Sequence, residues 1–569
     1  MNRTIVWFRR DLRVSDHAPL YRAAMRGAVI PVFVLDRALL HHPETAVARV
    51  SFMLECLRSL DQDLRDRGGR LIIRYGDPVE LLPDLVRETQ ADGIYAYIDY
   101  ERIYGRVRDA RLNRCLAEQG LRIRWFEPTA GTDQLMFYPR YRNFWWSEMG
   151  APLTPAPSRI EVPDAVVSEP IPPLAELGLI ADQKPIPPAG SAAARHLLTD
   201  FLDEKVDRYY WQLSYPGAAA TTGISPHLKF GAISPRECVQ IAQTWDLTNP
   251  KAERSRKQLI SRLRWGSGFG QRFRYLPQLE LRSLYTVFDA EEWHFDETLY
   301  QAWQEGQTGF PIVDAAARCL QATGGWQQLN FRSRAIYSSF LSNLLGMDWR
   351  LGALHFMRHL IDGDCPIDHY QWAMQAGVTH CVDKSWTRIY NPEQVAVDRC
   401  DPEGAFIKRW VPELAHLPPE WLGSPPRLNN YPPPILAYRQ QRQQRVQQLE
   451  RQRSLFRQQD NLIPYLARLP ESWIPFGSDR FPSEIAWALQ PNLDLFPAAI
   501  NLDELDAGQA KMLRTWFVAH LEIKPAAMAG RGRSRQSARQ QSGRSRRSKA
   551  AFDGYVQLSL QFDDSGELA

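Results

Sequence analysis

Between Trp293 and Trp372 the chain carries five tryptophans (Trp293, Trp303, Trp326, Trp349, Trp372), the acids Asp362 and Asp364 on either side of Gly363, and the arginines Arg332 and Arg334. Indoles are large and mostly apolar, and a charge buried among them is costly unless it is paired or hydrogen-bonded. Helix-forming residues surround the group. Together they suit a helical pocket that holds a flat, polar, redox-active ligand. Upstream, Thr221-Thr222-Gly223-Ile224-Ser225-Pro226 sets hydroxyls closely around a glycine. Such a stretch can aim donors at a phosphate near a helix start. Taken alone, the stretch reads rather as a helix N-cap at Ser225 with proline at the first helical position.

The elements that must position these residues are legible as two bodies. Residues 4–8, 29–35, 71–74, 93–98 and 121–126 read as short buried strands. Helical patterns near 18–26, 46–67, 78–90 and 103–119 separate them. That alternation predicts an α/β domain over residues 1–130 with a doubly wound parallel sheet, whose ligands sit at the carboxyl ends of the strands. No G-x-G-x-x-G motif accompanies it. Residues 131–193 are rich in proline and read as an interdomain linker. Residues 194–430 carry helical patterns almost throughout and read as an all-α domain. Residues 431–525, with a polar, basic helix near 438–459, read as a helical extension or small appendage. Residues 526–569 read as a disordered arm.

A chain of 569 residues is too long for one core. Its seven cysteines include no C-x-x-C pair, which fits a reducing, cytoplasmic location. Cys365, Cys381 and Cys400 are candidates for a metal or cluster, but buried apolar thiols is the reading adopted, with no metal site. Arg3, Arg9 and Arg10 interrupt the first apolar run, so no signal peptide is expected there. Nor is a membrane span expected, since no apolar stretch approaches the length that would cross a bilayer.

Trp303-Gln304-Glu305-Gly306-Gln307-Thr308-Gly309-Phe310-Pro311-Ile312-Val313-Asp314-Ala315 resembles the W-x-E-G-x-T-G-x-P-x-x-D-A signature of the photolyase/cryptochrome flavoproteins. Trp7-Phe8-Arg9-Arg10-Asp11-Leu12-Arg13 resembles their opening motif. Ile389-Tyr390-Asn391-Pro392, Asp401-Pro402-Glu403-Gly404 and the run from Ile407 to Leu414 resemble their closing ones. The likeness covers about residues 1–415. It implies an antenna domain followed by a helical domain that binds FAD, and leaves open whether the antenna holds a folate, a deazaflavin or no second chromophore. By position, Tyr209, Thr221, Thr222 and Ser225 would bind the pyrophosphate. Arg334 and Asp362 would pair beside the flavin ring, and Asp364 would meet the ribityl chain and ring polar atoms. Trp372, Trp349 and Trp293 would form the electron-transfer chain, from flavin to surface. Trp265 would stack on a flipped pyrimidine dimer.

This chain also departs from the family. The position facing flavin N5 is Asp368, where most repair enzymes have asparagine and plant cryptochromes have aspartate. An acid there, its pKa raised by an apolar pocket, keeps a proton available to the flavin. In the lesion pocket the family's Glu falls on Arg262, its Asn on Phe331, its Met on Ala335 and an Arg on Leu213. His369, the next residue after Asp368, is a lesser candidate for a catalytic role. Two readings therefore stand: light-driven repair of UV pyrimidine dimers in damaged DNA, or blue-light signalling through the C-terminal extension.

Eight basic residues between Arg531 and Lys549, with no acid among them, would add salt-sensitive DNA affinity. Beyond them, Gln557-Leu558-Ser559-Leu560-Gln561-Phe562 fits the Q-x-x-L-x-F pattern of peptides that dock on the bacterial sliding clamp. Gln557 would meet the pocket rim, and Leu560 and Phe562 would fill it. The protein is expected to be a monomer.

Overall fold

The computed structural model describes residues 2–99, 101–132, 138–275, 277–280, 283, 293–378 and 389–457. Strands β1 (Asn2–Phe8), β2 (Gly27–Asp36), β3 (Ile72–Gly76), β4 (Gly93–Tyr97) and β5 (Ile123–Phe126) form one sheet in the order β3-β2-β1-β4-β5. All pairings are parallel. The chain winds outward from β1 to β3, then returns to place β4 on the other side of β1. A crevice opens between the carboxyl ends of β1 and β4, the place where doubly wound sheets bind ligands.

The alternation within β1 divides the core. Val6 and Phe8 face one layer with Phe52 and Leu57, whereas Ile5 and Trp7 face the other with Leu82 and Leu112. The helices Val47–Arg65, Pro78–Thr89 and Ile103–Glu118 cover these faces. Residues 151–190 run along the sheet, where Arg70 donates to the Val166 carbonyl at 2.7 Å and Ile73 bridges Glu169. The region read as linker is not all extended, however. Tyr138–Gly150 is a helix, because Tyr141, Trp145 and Met149 recur every fourth residue and bury one stripe against Leu198 and Leu263.

The second body is helical from Ser191 onward, and its signature segment builds a turn rather than a pocket wall. Glu297–Glu305 ends on Gly306 at φ 67°, and Pro311–Thr323 begins five residues later. From the first turn of the second helix, Asp314 accepts hydrogen bonds from Thr308 N (2.8 Å), Thr308 Oγ1 (2.6 Å), Gly309 N (3.1 Å) and the Tyr431 hydroxyl (2.5 Å). A β-carbon on Gly309 would lie 2.4 Å from Pro433. The last described helix, Tyr438–Arg457, is polar in sequence, yet it buries Arg445, Leu449 and Gln452, which recur at helical spacing.

The opening motif fastens the two bodies. Leu12 N donates to Phe230 O at 2.9 Å, and Arg13 donates to the carbonyls of Gly231 and Asp16. Asp16 in turn accepts from Ser234 Oγ (2.6 Å) and Arg236 (2.8 Å). Arg10 and Gly231 are in close contact: Gly231 has φ 62°, and a β-carbon there would stand 2.2 Å from the Arg10 carbonyl oxygen. Gly231→Ala should therefore destabilise the protein by roughly 2–4 kcal/mol, from the left-handed backbone plus a clash at the junction. Thermal unfolding measures this, and a melting temperature equal to that of the wild type would refute it.

Candidate functional site

Three helices present faces of 3.6-residue period to one cavity of about 590 Å³, a size suited to a cofactor. Ala252–Tyr275 contributes Leu259, Arg262, Leu263, Gly266 and Gly270. Phe331–Ser339, capped by Asn330 through Ser333 N, contributes Phe331, Arg334, Ala335 and Ser338. Cys365–Gln375, capped by Asp364, contributes Asp368, Gln371, Trp372 and Gln375. The sheet supplies Arg10, Tyr97 and Asp99 from the crevice between β1 and β4. Asp368 Oδ2, Gln371 Oε1, Trp372 Nε1 and both amide atoms of Gln375 are buried with no hydrogen-bond partner among the described residues. Unsatisfied buried polar atoms are expensive. Four residues of one helix face share this condition and all line the cavity, so the site is complementary to a ligand with donors and acceptors of its own.

Ion pairs surround the cavity. Both oxygens of Asp362 accept from Arg334 at 3.1 Å, and its Oδ2 also accepts from Ser225 Oγ at 2.8 Å. Asp364 accepts from Arg10 at 2.8 Å and stands 3.7 Å from Lys229 Nζ. Lys229 also meets Glu101, and burial pulls its pKa down to about 7. A second network lies behind Asp368. His369 Nε2 meets Glu44 at 3.0 Å, Arg102 meets Glu44 at 2.6 Å, and Arg102 meets Glu280 at 3.1 Å. Burial disfavours the charge on His369, but Cys365 and Glu44 outweigh it and hold the imidazole well above its ordinary pKa.

The structure brings most of the sequence-predicted residues to this one place. Tyr209, Thr221, Thr222, Ser225, Arg334, Asp362, Asp364, Asp368 and Trp372 line the cavity, as do Arg262, Phe331 and Ala335. Ser225 does not cap its helix; its hydroxyl is given to Asp362 instead. Trp265 is half-buried beside the lining, with the Arg262 guanidinium 5.9 Å from its ring and 5.6 Å from that of Phe331. Trp372 packs edge-on against Phe356 at 4.8 Å and Trp303 at 6.3 Å. A β-carbon on Gly352, one turn after Trp349, would lie 2.1 Å from the Trp372 ring. Trp349 is buried, donates to Ser283 Oγ at 3.2 Å and meets the His369 ring at 6.2 Å. Trp293 is half-buried, with the Arg445 guanidinium 5.1 Å from its ring. Trp326 faces away and donates to Gly223 O at 2.9 Å.

Cys365 and Cys400 are buried, which pushes their thiols up to about 11 and about 12. Among the described residues no acid, histidine and thiol group could hold a metal. Cys381, the basic arm and Gln557, Leu560 and Phe562 lie outside the described residues. Sequence reasoning missed Gln371 and Gln375, although their spacing from Asp368 and Trp372 places all four on one helix face. It also missed Arg10, Lys229 and Glu44, for which no local signal exists.

Asp368 is pushed up to about 7, mainly by burial, with Glu44 and Asp362 adding to the rise and His369 and Arg334 opposing it. Its native form thus keeps a proton that the unfolded chain releases near pH 4. The sign follows: stability present at pH 4 is lost as pH rises to 7, by at most about 4 kcal/mol. Asp368→Asn cannot ionise. Its melting temperature relative to the wild type should therefore rise between pH 5 and pH 8, and a constant difference across that range would disprove the assignment.

Residues 4–130 match the family described as DNA photolyase, and residues 259–451 match the FAD binding domain of DNA photolyase. A deoxyribodipyrimidine photo-lyase of Synechococcus sp. is 35% identical over 76% of this chain and 93% of its own length. A bacterial class III photolyase from Agrobacterium tumefaciens is 28% identical, with a TM-score of 0.69 over 80% of this chain and 98% of that one. An archaeal photolyase from Sulfolobus tokodaii, solved with two FAD molecules, is 27% identical, with a TM-score of 0.66 over 80% and 100% of the two chains. The likeness spans both bodies, and the chain belongs to the DNA photolyase family.

Proposed function

We propose that this protein is an FAD-dependent enzyme that uses blue light to reverse pyrimidine dimers in damaged DNA, and that one cavity serves cofactor and lesion. The observation that carries this reading is shared lining: Arg262, Phe331 and Ala335 border the same space as Arg334, Asp362, Asp364 and Asp368. Tyr209, Thr221, Thr222 and Ser225 would hold the pyrophosphate. Arg334 with Asp362, Asp364 and Trp372 would hold the ring system, and the unsatisfied atoms of the Cys365–Gln375 helix would supply its polar partners. FAD held there in its reduced form would supply light-driven single-electron chemistry, suited to opening a cyclobutane dimer.

The chain's own residues do the rest. A flipped dimer needs a flat surface and a water-poor wall. Trp265 and Phe331 supply both beside Arg262, whose guanidinium burial pulls below the ordinary arginine range. A fixed cation there favours negative charge gathering on the base. Trp372, Trp349 and Trp293 serve as the route by which electrons enter from outside. Asp368, its pKa raised to about 7 mainly by burial, keeps a proton at the cavity wall. That same proton favours a second reading, a cryptochrome-type photoreceptor signalling through the extension. Among the described residues no helix is long and apolar enough to cross a membrane, and we read the protein as a cytoplasmic monomer.

Light separates the two readings. Reduced protein, illuminated with an oligonucleotide carrying a pyrimidine dimer, should restore the intact bases in at least single-stranded DNA. Folded, FAD-loaded protein that leaves the lesion intact would rule out repair. The segment Gln557–Phe562 is proposed to dock on the bacterial sliding clamp, because Leu560 and Phe562 are the apolar anchors of a short motif that follows a basic stretch. Leu560→Ala with Phe562→Ala should weaken clamp binding at least tenfold by calorimetry; equal affinity of both forms would end this proposal.

A further inference from the structure

We infer that Arg445, on the last described helix, is a positioning residue of the electron route, one that sets how readily Trp293 carries positive charge. The inference rests on the proposed role of Trp293 as the outer end of that route. Arg439, Arg442 and Arg451 of the Tyr438–Arg457 helix stand in solvent, whereas Arg445 is 2% exposed. It turns inward and is fixed from three sides: Nε donates to Asn343 Oδ1 at 3.2 Å, one terminal nitrogen to Ala376 O at 2.9 Å, and the other to Gln448 Oε1 at 2.5 Å. Thus held, the guanidinium lies 5.1 Å from the centre of the Trp293 ring. The Trp293 Nε1–H is buried with no acceptor among the described residues.

A cation over an indole is attracted to the neutral ring and repelled by an oxidised one. When an electron leaves Trp293 inward, with bound flavin as its final acceptor, the ring is left one electron short and positive. Arg445 opposes that charge. The radical can escape by losing its Nε1 proton to solvent, which the burial of that N–H slows. Both features return the hole inward and shorten the life of the separated charges until a thiol in solution refills the chain. The last described helix therefore holds back photoreduction of the cofactor.

The test is flash spectroscopy of the full-length, FAD-loaded protein, following the decay of the tryptophan radical. Arg445→Gln should lengthen that decay roughly tenfold, as expected for loss of a desolvated cation over the ring. Arg445→Lys keeps the charge and should decay like the wild type, which a purely structural peg would not predict. Arg445→Met, also uncharged, should match Arg445→Gln, and it serves if the glutamine variant melts early. Trp293→Phe should abolish the long-lived radical in every background. If Trp293→Phe removes the radical but Arg445→Gln and Arg445→Met decay like the wild type, the role given to Arg445 is wrong. If Trp293→Phe changes nothing, the reading of Trp293 falls, and the inference with it.

Discussion

The site hangs on one buried guanidinium. Arg49 projects from the first domain into the end of the Trp349–His359 helix and donates to the carbonyls of Met357 at 3.0 Å and Leu360 at 2.8 Å. A helix end leaves carbonyls unsatisfied, and inside a protein something must supply the donors. Here the donor belongs to another domain. Burial lowers its pKa to about 10, so the group stays charged at neutral pH. The next turn is shaped around it: a β-carbon on Gly363 would meet the Arg49 guanidinium at 2.3 Å, so Asp362 and Asp364 must be separated by glycine. With the turn fixed, Asp362 faces Arg334 and Ser225, while Asp364 faces Arg10 and caps the helix that carries Asp368 and Trp372. The cavity is therefore a product of domain docking as much as of either fold.

That dependence explains the density of charge at the junction. Glu44 and Arg49 come from one short stretch of the first domain, and both reach the second. A buried ion pair is a weak source of net stability, because desolvation offsets most of the attraction. Its value is directional: breaking either partner strands a charge. The pairs at Glu44, Arg102, Glu280 and His369 are consistent with that role, since they fix one relative placement of the two bodies. Asp368 is the member left over. His369 Nδ1 stands 3.9 Å from it, beyond hydrogen-bond range, and the strong partner of His369 is Glu44. An acid surrounded by paired charges but given no donor of its own is the one that retains its proton.

Much of this was legible in the sequence, for physical reasons that differ by residue. The five strands could be read because a parallel sheet covered on both faces needs short, continuous apolar runs. Arg334, Asp362 and Asp364 stood out because charges among tryptophans demand partners. Glu44, Arg102 and Lys229 could not be found, since each is an ordinary charged residue whose partner lies far along the chain, 325 positions away for Glu44 and His369. The Tyr138–Gly150 helix was hidden by the proline-rich stretch that follows it. Arg445 was hidden more thoroughly: in a run of glutamines and arginines nothing marks which one turns inward, and only Leu449, one turn later, betrays the buried stripe.

The strongest sequence signal also did not coincide with the chemistry. None of the residues from Trp303 to Ala315 lines the cavity. Their work is done one layer behind it. Asp314 closes the turn, which seats Trp303 flat on Tyr337 at 4.3 Å and edge-on to Trp372 at 6.3 Å. Trp372, which lines the cavity, is then packed against Trp303, Phe356 and Gly352. Packing of that kind resists movement of the ring when its charge changes. A signature that builds such a backing wall tolerates little substitution, whereas cavity-lining positions such as Arg262, Phe331 and Ala335 can vary with the ligand. On that argument the motif identifies the machine, and the departures around Arg262 and Asp368 are where this chain's own behaviour is set.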